Sequence, residues 1–266
     1  MTRAFGLIVV GDEILSGKRL DKHMPKVIEL LAARGLQLGW AEYVGDVPTR
    51  ITAALERAFA SGDIVFSTGG IGATPDDHTR QCAAKALRVP LALHPEAEAL
   101  IRERMQDTAR EQGTTYEPDR PDNVHRLNMG VFPQGASIIR NPYNKIPGFS
   151  VDHVHFVPGF PVMAWPMIES VLDSHYAGLF AQGQALEKSV IVYGAMEATL
   201  TPLMEAIEHV HTGVKVFSLP SVDHPEHGRH IELGVKGDAA LIDAAYAQLL
   251  DGLRTFGARL GPELVR

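Results

Sequence analysis

The sequence is poor in cysteine and has no excess of basic residues. Its single cysteine, among 266 residues, excludes an internal disulfide and favours a cytoplasmic location. The 25 lysines and arginines are outnumbered by 32 acidic residues, which gives a net charge of −7. This balance argues against a broad nucleic-acid surface, so no nucleic-acid partner is expected.

Long apolar runs are also missing. No segment approaches the roughly 18 unbroken apolar residues of a membrane span, so no membrane partner is expected. The first apolar run meets acids at once and is too short for a secretory signal. The apolar fraction of 45% is that of an ordinary globular protein. The length suits one large domain and a small one.

Strand and helix patterns alternate through the first part of the chain. Buried strands are predicted at 6–10, 36–44 and 63–67, and helices at about 20–34, 48–60, 75–87, 94–113 and 161–180. Such alternation predicts an α/β fold of three layers, with a mostly parallel sheet and helices on both faces. Segment 116–126 is predicted as a surface loop, and two short strands are expected within 132–157.

A joint of small residues at 181–187 separates a second pattern. Beyond it the order is β-α-β-β-α, which is enough for a small α+β domain. The predicted domains are therefore residues 1–180 and 185–266.

The segment STGGIGATPDDHTR, residues 67–80, joins three glycines to two adjacent carboxylates. Thr74 is predicted to cap the following helix, with Pro75 as its first residue and Asp77 in the capping-box position. Capping alone explains these residues, because acids in a first turn complement the helix dipole by about 0.3–1 kcal/mol each. The segment contains neither G-x-G-x-x-G nor G-K-[ST], which excludes a dinucleotide fingerprint and a P-loop.

A second acidic turn adds weight to a functional interpretation. Gly11, Asp12 and Glu13 follow the first predicted strand directly. Parallel strands share one carboxyl edge, so these acids would face Asp77 across a cleft. Converging carboxylates suit Mg²⁺ or a similar divalent cation, and the glycine loop with its helix N-terminus suits a phosphate. We therefore predict a small phosphorylated molecule as the partner.

Four segments carry a resemblance to a known family. VGDEILSGK, TGGIGATPDDHT, FPQGASIIRNP…PGF and VPGFP occur in that order. The order resembles that of the MoaB/Mog-like molybdopterin-binding domain, in its CinA-like branch, over about residues 4–180. Residues 185–266 resemble the small middle domain of that branch. The C-terminal amidohydrolase domain of longer CinA-like proteins has no counterpart in this sequence, so the resemblance implies no nicotinamide mononucleotide deamidase activity.

The resemblance implies that molybdopterin or a nucleotide binds at the carboxyl edge of the sheet. In Mog-like relatives, acids matching Asp12 and Asp77 lie in the site of molybdopterin adenylylation. In CinA-like relatives, the same pocket hydrolyses ADP-ribose to AMP and ribose 5-phosphate with a divalent metal. These residues are therefore the candidate catalytic pair, and a homo-oligomer remains open.

Together the pattern and the resemblance define a candidate site. Its predicted metal ligands are Asp12, Glu13, Asp76 and Asp77. Its predicted ligand-binding residues are Gly11, Gly69, Gly70, Gly72, Thr74, Lys145, Pro158 and Gly159. Lys18 or Lys145 is the candidate for stabilising charge in a transition state.

The sequence also departs from the family pattern. Ala73 replaces a proline, and residues 144–148 place Lys145 where relatives have a small residue. Met163 stands where relatives carry a glutamate after the second Pro-Gly turn. The lost carboxylate favours a protein that binds its ligand without turnover. A metal-dependent ADP-ribose pyrophosphatase is the alternative.

Histidines offer a competing metal hypothesis. HPEHGRH, residues 224–230, matches no zinc spacing and contains Pro225 and Gly228, so a solvated loop is the favoured interpretation. His153 and His155 share one face of a strand. One of them lines the site or both pack inside, and the sequence leaves these alternatives open.

Overall fold

The computed structural model describes residues 3–180 and 185–266. Two compact units make up the chain, Met1–Phe180 and Ala181–Arg266. Residues 181–184 of the predicted joint lie outside the described residues. In the described part of the chain, no helix is long and apolar enough to cross a membrane.

Most strands of the first unit form one sheet. The strands are β1 (Phe5–Val10), β2 (Leu38–Val44), β3 (Ile64–Thr68), β4 (Leu91–Leu93), β5 (Val131–Pro133), β6 (Ser137–Ile139), β7 (Gly148–Val151) and β8 (Val154–Val157). The main sheet has the order β2-β1-β3-β8-β7-β6. Its first four strands run parallel, and β7 and β6 add antiparallel pairs at one edge. Strands β4 and β5 pair separately.

Helices cover both faces of this sheet. They are α1 (Asp12–Leu15), α2 (His23–Ala32), α3 (Pro48–Ser61), α4 (Thr79–Leu87), α5 (Pro95–Glu111), α6 (Pro121–Arg126) and α7 (Pro161–His175). Side chains of β1 alternate between the faces: Leu7 and Val9 pack with α2 and α7, whereas Ile8 and Val10 pack with α3 and α4. The predicted three-layer α/β fold is confirmed.

Several predicted boundaries in this unit are wrong. Segment 116–126 contains helix α6, which starts at Pro121 after the extended Arg120. Four short strands, not two, lie between residues 131 and 157, because three- or four-residue strands carry too little periodicity. Helix α4 begins at Thr79 and not at Pro75. Cys82 is buried within α4, as a small apolar residue would be.

The second unit is built around an antiparallel sheet. Its elements are β9 (Ala185–Tyr193), α8 (Glu197–Val210), β10 (Lys215–His224), β11 (Gly228–Asp238), α9 (Ala239–Thr255) and β12 (Arg259–Val265). The strand order is β10-β11-β9-β12. Both helices pack on this sheet, through residues such as Leu200 and Leu249. The predicted α+β class is therefore confirmed.

The end of this unit differs from the sequence-based prediction. The predicted order ends in a helix, but α9 ends at Thr255 and the chain returns as a further strand, β12. Gly257 adopts a φ of +67°, the left-handed conformation that commonly ends a helix. The unit is thus βαββαβ, with one strand more than the pattern predicted.

The role of β1 as the centre of the core can be tested with two leucines. Leu7 is fully buried on β1, whereas Leu20 is 85% exposed. Leu7→Ala is expected to lower the free energy of unfolding by about 2–5 kcal/mol, because it leaves a cavity between sheet and helices. Leu20→Ala should change it by less than about 0.5 kcal/mol. Urea unfolding followed by circular dichroism measures both, and equal losses would contradict this core.

Candidate functional site

A cavity of about 460 Å³ lies where β1, β3 and β8 end. Ligands of open parallel sheets bind at this carboxyl edge. The cavity is lined by most of the residues predicted for the site, namely Gly11, Glu13, Gly69, Gly70, Gly72, Thr74, Asp76, Asp77, Pro158 and Gly159. Two other predicted residues, Asp12 and Lys145, do not line it.

The glycine loop is held tightly between neighbouring backbones. Gly69 has a φ of +95°, and a Cβ there would lie 2.3 Å from the Val10 carbonyl oxygen. Gly70 has a φ of +67°, and a Cβ there would lie 2.2 Å from Oγ1 of Thr79. That hydroxyl donates to the Gly69 carbonyl at 3.0 Å, and the Thr79 amide donates to the Gly70 carbonyl at 2.9 Å. Only glycine fits these two positions without displacing its neighbours.

Successive backbone N–H groups of this loop are available to a ligand. Within the part of the chain that the structure describes, the amides of residues 70–73 donate to no hydrogen-bond acceptor. All four residues line the cavity. Consecutive free N–H groups in a glycine turn are a common way of binding anions.

The turn after the glycines corrects the predicted helix start. Oδ2 of Asp77 accepts hydrogen bonds from the amide and the hydroxyl of Thr74. A side-chain contact of this kind is one of the two hydrogen bonds of a capping box. Here it closes a turn and does not cap a helix, because α4 begins two residues after Asp77. Thr74 is therefore not the cap of the helix. Asp76 and Asp77 stand in a loop at the cavity wall.

The buried Arg80 holds the glycine loop by a hydrogen bond to one of its carbonyl oxygens. This arginine is only 4% exposed, and its guanidinium donates to the carbonyl oxygens of Gly72, Asn128 and Val131. Burial lowers the pKa of Arg80. The sequence analysis missed this residue, because one arginine in a helix gives no signal of a buried role.

Asp12 and Asp46 form a reciprocal pair. The Asp12 amide donates to Oδ2 of Asp46 at 2.9 Å, and the Asp46 amide donates to Oδ1 of Asp12 at 3.1 Å. The pairing directs Asp12 to a separate cleft of about 390 Å³, whereas Asp46 lines the main cavity. Asp46 was missed, although the tripeptide Val-Gly-Asp occurs at both 10–12 and 44–46. The same tripeptide after two adjacent parallel strands is the signal that could have found it.

Neighbouring carboxylates change the pKa of Asp46. Burial raises the pKa of Asp46, and the negative charges of Asp12, Glu13 and Asp76 raise it further. The hydrogen bond from the Asp12 amide opposes this rise only in part. The acidic wall therefore favours groups that donate hydrogen bonds or carry positive charge.

The four predicted metal ligands do not form one ligand set. Asp12 faces the separate cleft, and the carboxylate of Asp77 is bound to Thr74. Within residues 3–180 and 185–266, no three histidine, cysteine or acidic side chains converge closely enough to hold a metal ion. The residues present therefore do not fit a cation held by Asp12, Glu13, Asp76 and Asp77 together.

The positive charge of the cavity comes from a different residue than predicted. Lys145 turns away from the cavity, and its Nζ contacts Glu103 and Asp107 of α5. The hydrogen bond with Asp107 raises the pKa of Lys145. Arg19 lines the cavity, whereas its neighbour Lys18 does not. Lys145, which the comparison with the family pattern had singled out, thus forms ion pairs with α5.

Two neighbouring asparagines also contribute to the lining of the cavity. Nδ2 of the buried Asn141 donates to Oδ1 of Asn144 at 2.8 Å and to the Ile146 carbonyl at 3.0 Å. Asn144 in turn approaches the sulfur of Met163 at 3.6 Å. Both asparagines and Met163 line the cavity. The sequence analysis identified Met163 but missed the asparagines.

Neither of the two histidines lines the cavity, and they do not share a strand: His155 belongs to β8, whereas His153 lies in the turn before it. His155 is 2% exposed and hydrogen-bonds to Ser150 at 2.7 Å and to Tyr176 at 2.6 Å. Burial lowers its pKa to about 3, so it stays neutral at physiological pH. His153 contacts the carbonyl of Ala58. The structure thus supports packing inside the fold for His155, and it places the partly exposed His153 outside the cavity.

Comparison with known proteins identifies relatives of the chain. A family described as a probable molybdopterin binding domain matches residues 6–176. A CinA-like protein from Gloeobacter violaceus is 29% identical over 266 residues, covering 95% of this chain and 59% of that protein. A protein from Pyrobaculum calidifontis is 27% identical over 259 residues, covering 94% of this chain and 95% of that protein. The chain thus spans about three fifths of one relative and nearly all of the other.

A solved structure shares the fold. The crystal structure of CinA from Thermoplasma acidophilum, described as of unknown function, is 26% identical. It aligns with a TM-score of 0.54 and covers 64% of this chain and 98% of its own. The share of this chain that the structure covers, 64%, is similar to the share matched by the family, residues 6–176.

The raised pKa of Asp46 predicts a pH-dependent stability. A raised pKa means that the folded state binds the proton of this carboxyl more tightly than the unfolded state does. The free energy of unfolding therefore falls as pH rises through the raised pKa and the group becomes charged. Asp46→Asn keeps an acceptor for the Asp12 amide and removes the charge. The difference in melting temperature, Asp46→Asn minus wild type, is therefore expected to become more positive from pH 4 to pH 7.

Differential scanning fluorimetry across this range measures the effect. Asp119→Asn is the matched control, because Asp119 is exposed and outside the cavity. A relative loss of stability in Asp46→Asn at pH 7 would show that the carboxylate is stabilised by its surroundings.

Proposed function

The chain belongs to the probable molybdopterin-binding domain family, and on that premise we propose that its cavity binds a phosphorylated pterin or nucleotide. The proposed role is binding without efficient hydrolysis. The observation that carries it is the run of four free backbone N–H groups at residues 70–73 on the wall of a 460 Å³ cavity. Such a run suits the phosphoryl end of a ligand.

Charge at the cavity supports a ligand with two chemically different ends. Arg19 supplies a guanidinium that suits phosphate oxygens. Glu13, Asp46 and Asp76 supply carboxylate acceptors, which repel phosphate but accept hydrogen bonds from ring N–H, amino or hydroxyl groups. Pterins and nucleotides carry such donors together with a phosphoryl group. A free phosphate ion would leave the acids without partners.

Met163 supports binding over turnover. Its thioether occupies a wall of the cavity and contacts Asn144, so it offers neither charge nor a strong acceptor to a water molecule. The predicted divalent cation has no place in the proposal, because the four acids do not converge. The alternative, a metal-dependent ADP-ribose pyrophosphatase, rests on the acids and the phosphate loop sharing one cavity.

Asp77 provides the first test of binding. Asp77→Asn keeps an oxygen for the Thr74 amide and removes a charge from the cavity wall. Because Oδ2 of Asp77 accepts from Thr74, its other carboxylate oxygen is the one left for a ligand donor. Losing such a charged acceptor costs about 1.5–3 kcal/mol, so affinity should fall by about tenfold or more. Isothermal titration calorimetry with neopterin phosphate, AMP and ADP-ribose, each with and without Mg²⁺, measures the change.

Asp119→Asn is again the control, since it changes the same charge outside the cavity. Equal affinities of wild type and Asp77→Asn for every probe would show that Asp77 serves only the turn. A Mg²⁺ requirement that Asp77→Asn abolishes would support the cation that the sequence predicted.

Hydrolysis is tested by AMP release from ADP-ribose in the presence of Mg²⁺, Mn²⁺ or Co²⁺. Wild type is expected to be slow, because losing one positioned polar group in such sites costs about 10²–10³ in rate. Met163→Glu should release AMP faster, and Met163→Leu should match wild type. Rapid release by wild type, unchanged in Met163→Glu, would make the pyrophosphatase the correct function.

A further inference from the structure

A buried histidine lies behind the wall of the cavity and has no part in the ligand contacts proposed above. His23, the first residue of α2, is 4% exposed and does not line the cavity. Its Nε2 lies 3.0 Å from the carbonyl oxygen of Gly159, a residue that does line the cavity. The two residues are 136 positions apart in the chain, so the contact joins α2 to the Pro-Gly turn after β8.

This contact fixes the tautomer of the neutral His23 ring. A carbonyl oxygen only accepts, so Nε2 carries the proton and donates it. Nδ1 is then the unprotonated nitrogen; it is buried and, within residues 3–180 and 185–266, has no hydrogen-bond partner. In the described part of the chain, the ring is therefore oriented by one hydrogen bond, the one to Gly159.

The start of α2 holds His23 at this place. Asp21 accepts hydrogen bonds from the backbone amides of His23 at 2.8 Å and of Met24 at 3.0 Å. The hydroxyl of Tyr43, on β2, donates to the same carboxylate at 2.7 Å. The first turn of α2 is thus tied to the sheet, which gives the imidazole a defined position relative to the Pro-Gly turn.

The turn that His23 contacts is joined to the glycine loop. Gly159 packs against Gly69, since a Cβ at residue 159 would lie 3.4 Å from the Gly69 Cα. The Gly69 amide donates to the carbonyl of Val157 at 3.0 Å, two residues before Gly159. A displacement of the turn would therefore displace the residue from which the free amides of residues 70–73 follow.

The same turn begins another wall of the cavity. Phe160 follows Gly159, and its carbonyl accepts from the amides of Met163 at 3.0 Å and Ala164 at 2.8 Å in the first turn of α7. Phe160 and Met163 both line the cavity. The position of the Gly159 carbonyl thus bears on two walls, the glycine loop and the start of α7.

We propose that His23 is a positioning residue of the cavity: its Nε2–H holds the Gly159 carbonyl and thereby keeps the Pro-Gly turn and the glycine loop in the arrangement that binds the ligand. The consequence for binding rests on the proposed function, whereas the positioning is a property of the free protein. Residues that contact a ligand need such support from behind, because small displacements of their donors weaken binding. A site held in its binding arrangement also loses less conformational freedom when the ligand binds.

Three substitutions separate the hydrogen bond from the volume of the ring. His23→Leu keeps a buried side chain and removes the donor, whereas His23→Gln keeps an N–H donor at about the distance of Nε2. His23→Asn places its donor near the position of Nδ1, so it tests the same loss if His23→Leu does not fold. Thr52→Val is the control for lost stability, because Thr52 is buried, donates to the Pro48 carbonyl at 2.8 Å and does not line the cavity.

The first measurement is made on the full chain without ligand, by ¹H–¹⁵N spectroscopy. A long-range spectrum of the wild type should show Nε2 as the protonated nitrogen of His23. His23→Leu should shift the amide signals of Gly69, Gly70 and Gly159, His23→Gln should return them towards the wild type, and Thr52→Val should leave them in place. A wild-type ring protonated on Nδ1 alone, or glycine signals unchanged in His23→Leu, would overturn the proposal.

The second measurement is the affinity for AMP and for neopterin phosphate by isothermal titration calorimetry. His23→Leu is expected to weaken binding by about fivefold or more, the effect typical of residues that act on a site without touching the ligand. His23→Gln should recover most of the affinity, and Thr52→Val should match the wild type. Equal affinities of the wild type and His23→Leu would show that the contact serves only the fold. A wild type that binds neither probe, with glycine signals that move as expected, would refute the proposed function and leave the positioning role in place.

Discussion

The close approach of three backbones at Gly69 is the constraint on which the first cavity depends. A Cβ at this residue would meet the carbonyl of Val10, and a Cβ at Gly159 would lie 3.4 Å from the Gly69 Cα. The ends of β1 and β3 therefore come this close only because residue 69 has no side chain, and Gly159 after β8 packs on Gly69 at an ordinary contact distance. Thr79 and Arg80 then hold the loop, so the free amides of residues 70–73 keep one arrangement. Preorganised donors of this kind need little further ordering on binding.

Under the proposed function, the carboxylates at the same edge give the cavity its selectivity. The exchange of hydrogen bonds between Asp12 and Asp46 turns one acid out of the cavity and the other into it. Asp46 then stands among like charges, which raises its pKa. A phosphate alone meets repulsion here, whereas a ligand with ring or hydroxyl donors satisfies the acids and the loop together. The proposed selectivity thus depends on repulsion as much as on attraction.

The two units present backbone donors in different settings. In the first unit, the donors belong to a glycine turn next to acidic side chains. In the second unit, the free amides belong to the uncapped first turn of α8, near Arg229. Backbone N–H groups carry no sequence signal of their own, so only side chains such as these indicate what each set of donors can bind.

Much of the fold follows from the sequence alone, because burial on both faces of a parallel sheet produces continuous apolar strands that alternate with helices. The glycine loop and the acidic turn were also evident, since both follow predicted strands. Tertiary structure decided what each side chain does there. It paired Lys145 with acids of α5, buried Arg80 beneath the loop and placed Asp46 where Asp12 was expected. These outcomes depend on contacts between residues distant in sequence, which no local pattern records.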